Sequence, residues 1–194
     1  MAAPTGRGGR VIPLIPVQDV AAAGQRQIQF RNPPPLALYV HIPWCVQKCP
    51  YCDFNSHAVP GTQNADRSAP AIPEDDYLTA LIADLEAALP TIWGRRVDSI
   101  FLGGGTPSLL SGEAVEQLLT ALRSRLPLLP NAEITLEANP ASVESEKFAA
   151  FRAAGVNRLS IGIQSFNPRH LEALGRAHDD RQARQAIEIA ARHF

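Results

Sequence analysis

A chain of 194 residues, 45% of them hydrophobic, is long enough to bury one globular core. The formal net charge of -1 argues against a general nucleic-acid-binding protein, and no apolar run approaches the roughly 20 residues that a membrane-spanning helix needs. We therefore expect a cytoplasmic protein that binds no nucleic acid.

The first 35 residues are rich in Gly, Pro and Gln and end in three consecutive prolines. This composition predicts a flexible leader. Two prolines interrupt the short apolar run that follows Arg7 and Arg10, which argues against a signal peptide. We predict that the folded domain covers residues 36–194.

From residue 36 onward, short apolar runs alternate with amphipathic stretches, a pattern that predicts βα units around a parallel sheet. The predicted strands are residues 36–42, 97–102, 132–138 and 158–163. The first predicted helix has its apolar face at Leu78, Leu81, Ile82, Leu85 and Leu89. Ser111 caps the second, and Gly155 ends the third, which covers 142–154. A short helix near Leu171 and a last one over 180–193 follow. A Gly/Pro/Ser-rich loop over about 58–73 precedes the first helix.

Four βα units fit either an open doubly wound sheet or a partial barrel, and in both architectures ligands bind at the carboxyl ends of the strands. The cysteines follow the first strand and a glycine triplet follows the second. Glu137 and Asn139 end the third strand, and Gln164 ends the fourth. We therefore predict that these groups meet at one edge of the sheet.

The three cysteines of the chain, Cys45, Cys49 and Cys52, lie within eight residues. This distribution is typical of a metal site rather than of a disulfide framework. Thiolates bind iron–sulfur clusters, zinc or copper, and three of them on a cubane leave one iron open to a small-molecule ligand. The alternative is a structural zinc site with His41 or His57 as fourth ligand, although such sites usually combine a Cys-x2-Cys pair with a second, distant pair of ligands.

Two further features lie at the same predicted edge. The glycines of the segment 103–107 remove side chains where a strand turns towards a helix, so the backbone could approach a ligand closely, or the segment could simply form a tight turn. Glu137 ends an apolar strand, where a carboxylate is costly unless it meets a partner or ligand; a solvated strand end is the alternative.

The spacing Cys45-x3-Cys49-x-Tyr51-Cys52 resembles the signature of the radical S-adenosylmethionine (SAM) superfamily, and the segment 103–107 resembles its Gly-Gly-Gly-Thr-Pro segment. The resemblance implies a [4Fe-4S] cluster on the three cysteines, with SAM at the open iron and reductive cleavage of SAM to methionine and a 5′-deoxyadenosyl radical. It also implies an α/β fold, a partial (βα) barrel with about four of six βα units present in a truncated domain.

The same resemblance implies a set of SAM contacts across the predicted edge. They are Tyr39, Tyr51, Gly103, Gly104, Gly105, Thr106, Glu137, Gln164 and Arg176. From the sequence alone, Tyr51 could equally pack the cysteine loop, Tyr39 could be a strand aromatic, and Arg176 could be an ordinary surface residue.

The segment 38–57 resembles the oxygen-independent coproporphyrinogen III oxidase-like group, and within it the HemW-type heme chaperones. Phe54 stands where the decarboxylating enzymes of the group carry a further cysteine. The resemblance to the chaperones implies heme as cargo, respiratory hemoproteins as possible recipients, an electron donor for the cluster and transient membrane association as a possibility. We assign no catalytic side chain.

Two alternatives stay open. One is an enzyme that oxidatively decarboxylates coproporphyrinogen III to protoporphyrinogen IX. The other is a cluster-bearing fragment without complete activity, because the family pattern leads us to expect two further βα units and a heme motif after residue 194.

Overall fold

Four parallel strands form the main sheet, and their carboxyl ends lie side by side at one end of it, the carboxyl edge of the sheet. The computed structural model describes residues 33–59 and 72–194. Its strands are β1 (Leu36–Ile42), β2 (Trp44–Cys45), β3 (His57–Ala58), β4 (Val97–Gly104), β5 (Leu128–Ala138) and β6 (Arg158–Ile161). Its helices are α1 (Glu74–Ile92), α2 (Gly112–Arg125), α3 (Ser145–Ala154), α4 (Pro168–Ala173) and α5 (Asp180–His193).

The main sheet has the strand order β1-β4-β5-β6, and every neighbouring pair is parallel. Each strand therefore pairs with the next one along the chain, apart from the small β2–β3 pair. A doubly wound sheet would reverse direction at a switch point. The continuous order is that of a (βα) barrel wall, so the α/β prediction is confirmed and the barrel alternative is the one that the chain adopts.

The predicted elements are present, with differences at some ends. Ser111 caps α2, because its Oγ accepts the Ala114 N–H at 3.0 Å, and Gly155 ends α3 with a φ of 109°. The third helix begins at Ser145 rather than at residue 142, since a 3₁₀ turn over Pro140–Ser142 precedes it. The fourth strand ends at Ile161 rather than at residue 163, because the chain turns there.

Two predictions fall partly or wholly outside the described residues. The leader over 1–35 overlaps them only at residues 33–35, so the domain division at residue 36 stays a prediction. The predicted loop over 58–73 overlaps them at residues 58, 59, 72 and 73. Within the described residues, no helix is long and apolar enough to cross a membrane.

One face of the sheet is apolar and lies under the helices. Alternate residues of β4 and β5 point into this core, which also contains the fully buried rings of Phe148 and Phe151 from α3. The opposite face is polar and aromatic. It carries the Tyr39–Phe101 stack, with ring centroids 6.1 Å apart, and the exposed Glu133–Arg158 ion pair at 2.9 Å.

The cysteine loop is the segment 46–56 between β2 and β3, together with Cys45. Its base joins the end of β4 through two short backbone bonds. Gly105 N–H donates to the Ile42 carbonyl at 2.7 Å, and Thr106 N–H donates to the Trp44 carbonyl at 2.6 Å. A Cβ on Gly105 would overlap the Trp44 carbonyl group, lying 2.8 Å from its carbon, and would lie 2.9 Å from the Ile42 oxygen. Glycine is therefore required for this approach.

We predict that Gly105→Ala destabilises the protein by roughly 1–3 kcal/mol, because the new methyl group meets backbone atoms that cannot rotate away. Urea unfolding measures the effect. Gly162→Ala is the matched control, since its Cβ would meet no atom closer than 3.4 Å. Equal stability of the two variants would contradict the close approach.

Candidate functional site

A cleft of about 320 Å³ opens at the carboxyl edge of the main sheet. The cysteine loop, the turn after β4 and the ends of β5 and β6 all contribute to its walls. The predicted site residues that line it are Cys45, Cys49, Cys52, Tyr51, Gly104, Gly105, Thr106, Glu137, Gln164 and Arg176. The topology therefore brings together groups that are up to about 130 residues apart in sequence, as the strand-end rule requires.

The cysteine loop is closed at its base by backbone bonds. Strand β2 pairs with β3, and the Val59 N–H donates to the Cys45 carbonyl at 2.9 Å. Inside the loop, Lys48 Nζ donates to the carbonyls of Phe54 and Ser56 at 3.1 and 3.2 Å. These bonds fix the path of the loop that carries the three thiols.

All three thiols are free and line the same cleft. Cys45 and Cys49 are buried and Cys52 is partly exposed. No group of three or more His, Cys, Asp or Glu side chains in the described ranges is arranged around a single ion. A cubane cluster places each cysteine on a different iron, so its thiolates do not need to converge on one point. The soft donor set and the open cleft fit such a cluster.

The histidines of the zinc alternative do not join the thiols. His41 Nε2 lies 2.8 Å from the Asn55 carbonyl oxygen, and His41 Nδ1 lies 3.3 Å from the Tyr39 hydroxyl. His57 is exposed, and neither histidine is among the residues that line the cleft. The geometry therefore gives no support to either histidine as a fourth ligand.

Glu137 supplies a carboxylate at the end of β5. Its Oε2 accepts the Gly104 N–H at 3.0 Å, which links the ends of two neighbouring strands. Burial raises the pKa of Glu137 above its usual value, and the bond from Gly104 lowers it in part. This bond occupies one oxygen of the Glu137 carboxylate, so the other oxygen can accept a hydrogen bond from a ligand in the cleft.

Arg176 joins the cysteine loop to the end of β6. Its Nη1 donates to Cys49 Sγ and to the Tyr51 hydroxyl, both at 3.2 Å, and its Nη2 donates to the Gly162 carbonyl at 2.6 Å. Its Nε is buried and has no partner among the described residues. Arg176 is therefore an ordered cation at the cleft rather than a freely solvated side chain, and it suits an anionic ligand group.

Gln164 enters the cleft from a strained turn. Its φ of 67° is in the left-handed region, which a residue with a Cβ adopts at a cost. It is the only such non-glycine residue in the described part of the chain. A strained backbone at a cleft residue favours a functional reason for its orientation.

Two predicted contacts, Tyr39 and Gly103, do not line the cleft. The Tyr39 ring stacks on Phe101, on the polar face of the sheet. A Cβ on Gly103 would lie 2.7 Å from the Phe101 ring, so this glycine makes room for the aromatic pair. Their role as SAM contacts stays a prediction.

Lys48 and His178 also hold the loops around the cleft, and the sequence patterns assign no role to either residue. Lys48 lies between two of the cysteines, and its position within the motif was the available signal. His178 is buried and lies two residues after Arg176, where a lone histidine carries no specific pattern.

Comparisons with known proteins agree with this geometry. A family model described as the radical SAM superfamily matches residues 39–194. The chain is 53% identical over 158 residues to the heme chaperone HemW of Escherichia coli K12, covering 81% of the chain and 39% of that protein. It is 42% identical over 158 residues to the mitochondrial radical S-adenosyl methionine domain-containing protein 1 of Bos taurus, covering 81% of the chain and 34% of that protein.

A solved structure gives the same fold. The coproporphyrinogen III oxidase HemN of Escherichia coli, described as a radical SAM enzyme, matches with a TM-score of 0.70 and 32% identity. The match covers 81% of the chain and 34% of HemN. The chain thus spans about two fifths or less of these relatives.

We predict that Gln164→Gly stabilises the fold by about 1 kcal/mol, because glycine adopts a positive φ without the steric cost that glutamine bears. The same variant loses the amide from the cleft. Its midpoint of urea unfolding should rise, whereas Gln164→Ala, which keeps the strained backbone, should not gain stability. A lower midpoint for the glycine variant would contradict the strain.

Glu137→Gln tests the buried carboxylate. A folded-state pKa that is raised gives stability that is full below the usual pKa of glutamate and is lost as the pH rises through the folded value. Glutamine does not ionise, so the variant should gain stability relative to the parent as the pH rises from about 4 to about 7. Urea unfolding at both pH values measures this difference, and a difference that shrinks with pH would contradict a raised pKa.

Proposed function

Because the chain belongs to the radical SAM superfamily, we propose that Cys45, Cys49 and Cys52 bind a [4Fe-4S] cluster whose remaining iron binds SAM. The observation that carries this proposal is the common cleft. Three free thiols line one wall of it, and the polar groups of Glu137 and Arg176 line the others. No other described segment contains cysteine.

The residues of the cleft have donors and acceptors suited to SAM. We assign the SAM carboxylate to the Arg176 guanidinium, because a planar cation with several donors matches it. The Glu137 carboxylate accepts from an amino or hydroxyl group, and the half-exposed Tyr51 ring offers a face to the adenine. Gly104, Gly105 and Thr106 keep that wall free of large side chains.

When bound, the cluster supplies the electron that cleaves SAM to methionine and a 5′-deoxyadenosyl radical, as the family resemblance implies. In this proposal, the chain's own residues bind and orient SAM. Arg176 contacts both Cys49 and the end of β6, so it couples the position of the cysteine loop to that of the Gln164 turn.

We further propose that the protein is a heme chaperone that delivers heme to respiratory hemoproteins. Relatives named heme chaperone HemW, at 41–53% identity, support this proposal. Phe54 supports it too, since its ring is 58% exposed and lines the cleft at the place where the decarboxylating enzymes have a further cysteine. The proposal includes a cytoplasmic protein, an electron donor for the cluster and transient contact with a membrane.

The second candidate is oxidative decarboxylation of coproporphyrinogen III. The likeness to HemN, which covers most of the chain, favours it. The two candidates differ in what happens to the porphyrin, because a chaperone releases its cargo unchanged and the enzyme consumes its substrate.

Anaerobic reconstitution tests the cluster. We expect about four irons and four sulfides for each chain, and Cys49→Ser should lose most of both, because the remaining two thiolates are too few to hold a cubane. Ser124→Ala, an exposed helix position far from the cysteines in sequence, is the control and should bind as much iron as the parent. Stoichiometric zinc without bound iron would refute the cluster.

Heme titration separates the two candidate functions. With the intact protein, we expect a saturable heme absorbance change and no consumption of coproporphyrinogen III in the presence of SAM, a reductant and an electron acceptor. Conversion of coproporphyrinogen III to protoporphyrinogen IX would instead establish the enzyme. Phe54→Cys tests the same distinction, and it should not by itself confer the decarboxylation.

A further inference from the structure

The segment after β6 contains a tight turn centred on Gln164. The Ser165 N–H donates to the Ile163 carbonyl at 2.8 Å, and the residue between them has a φ of 67°. A bond from residue i+2 to residue i across a positive φ defines the rarer form of γ-turn, which is strained. Such a turn persists only where the surrounding structure holds it.

His178 provides a second donor to the same carbonyl. Its Nε2 lies 3.0 Å from the Ile163 oxygen, and the side chain is only 4% exposed. A carbonyl oxygen only accepts, so Nε2 carries the hydrogen. Both lone pairs of the Ile163 oxygen are then used, which fixes the orientation of the peptide that begins the turn.

The charges around His178 favour its neutral form. Burial lowers the pKa of His178, and the positive charge of Arg176 lowers it further, while Asp179 and the bond to Ile163 act in the opposite direction. His178 Nδ1 is buried without a partner among the described residues. A neutral ring with hydrogen on Nε2 leaves this nitrogen as an acceptor rather than as an unpaired donor.

Arg176 binds the carbonyl of Gly162, the residue before Ile163. Its Nη2 donates to Gly162 at 2.6 Å, while the Gly162 N–H continues the sheet pairing to Ala138 at 2.9 Å. The Arg176 Nη2 and Gln164 Nε2 atoms both lie over Gly162, 3.4 and 3.5 Å from where its Cβ would be. Arg176 and His178 thus bind the consecutive carbonyls of Gly162 and Ile163. The Gln164 amide lies beside the Arg176 guanidinium.

We propose that His178 is a positioning residue that directs Gln164 into the cleft by holding the Ile163 carbonyl that closes the turn. The proposal rests on the proposed function, since Gln164 is there a SAM-binding residue. His178 itself does not line the cleft. Its effect on SAM therefore passes through Gln164.

A double-mutant cycle tests this dependence. In the intact, cluster-loaded protein, His178→Ala should raise the Kd for SAM roughly tenfold, the size expected from one displaced hydrogen bond. His178→Gln should recover most of the affinity, because the glutamine amide nitrogen reaches the place of Nε2. In a Gln164→Ala background, His178→Ala should add little. Equilibrium dialysis with equal iron content in every sample gives the four dissociation constants of the cycle and that of His178→Gln.

Two measurements on the cluster-free intact protein test the turn without any need for SAM. Nitrogen-15 spectra should report His178 as neutral with hydrogen on Nε2. Exchange of the Ser165 amide should become roughly tenfold faster in His178→Ala and return towards the parent rate in His178→Gln.

Additive effects in the cycle, hydrogen on Nδ1, or an unchanged Ser165 exchange rate would each overturn the positioning role. Failure of the cluster-loaded parent to bind SAM would instead refute the proposed function, and the exchange rates would then still decide whether His178 holds the turn.

Discussion

The close approach of the turn after β4 to the backbone of Ile42 and Trp44 is the contact on which the site depends. Without side chains at the glycine positions, Gly105 and Thr106 donate to carbonyls just before the first cysteine. The cysteine loop is thereby fixed to the neighbouring strand end as well as to its own. The Gly104 bond to Glu137 continues the connection to β5. Backbone donors therefore link three strand ends along this wall of the cleft.

The walls of the cleft formed by the cysteine loop and by the segment after β6 depend on a few long side chains. Arg176 contacts Cys49 and Tyr51 on one side and Gly162 on the other. His178 holds the next carbonyl, and Lys48 holds two carbonyls within the cysteine loop. The charged heads of Arg176 and Lys48 thus organise loops that have little regular secondary structure. Loops held in this way leave the three thiols and the Glu137 carboxylate along the walls of the cleft.

Much of this arrangement could be predicted from the sequence, because it depends on local patterns. Apolar periodicity gave the strands and helices, and parallel strands must place their carboxyl ends at one edge. Ser111 and Gly155 were recognisable as helix ends from their own chemistry. The patterns did not determine the strand order. Four βα units fit both an open doubly wound sheet and a partial barrel, and only the pairing of the strands distinguishes them.

The sequence could not predict features that depend on contacts between distant segments. The left-handed φ of Gln164 is not a preference of glutamine, and it occurs where the distant His178 contacts the Ile163 carbonyl. Tyr39 stacks on Phe101 of the neighbouring strand, a contact that depends on the strand order and that the sequence does not contain. Mössbauer spectroscopy of the intact protein loaded with iron-57 can show whether the three cysteines hold a cubane with one iron left for SAM. We expect SAM to change the signal of one of the four irons and leave the other three unaltered; a spectrum that SAM does not change, or changes at every iron, would rule out this binding mode.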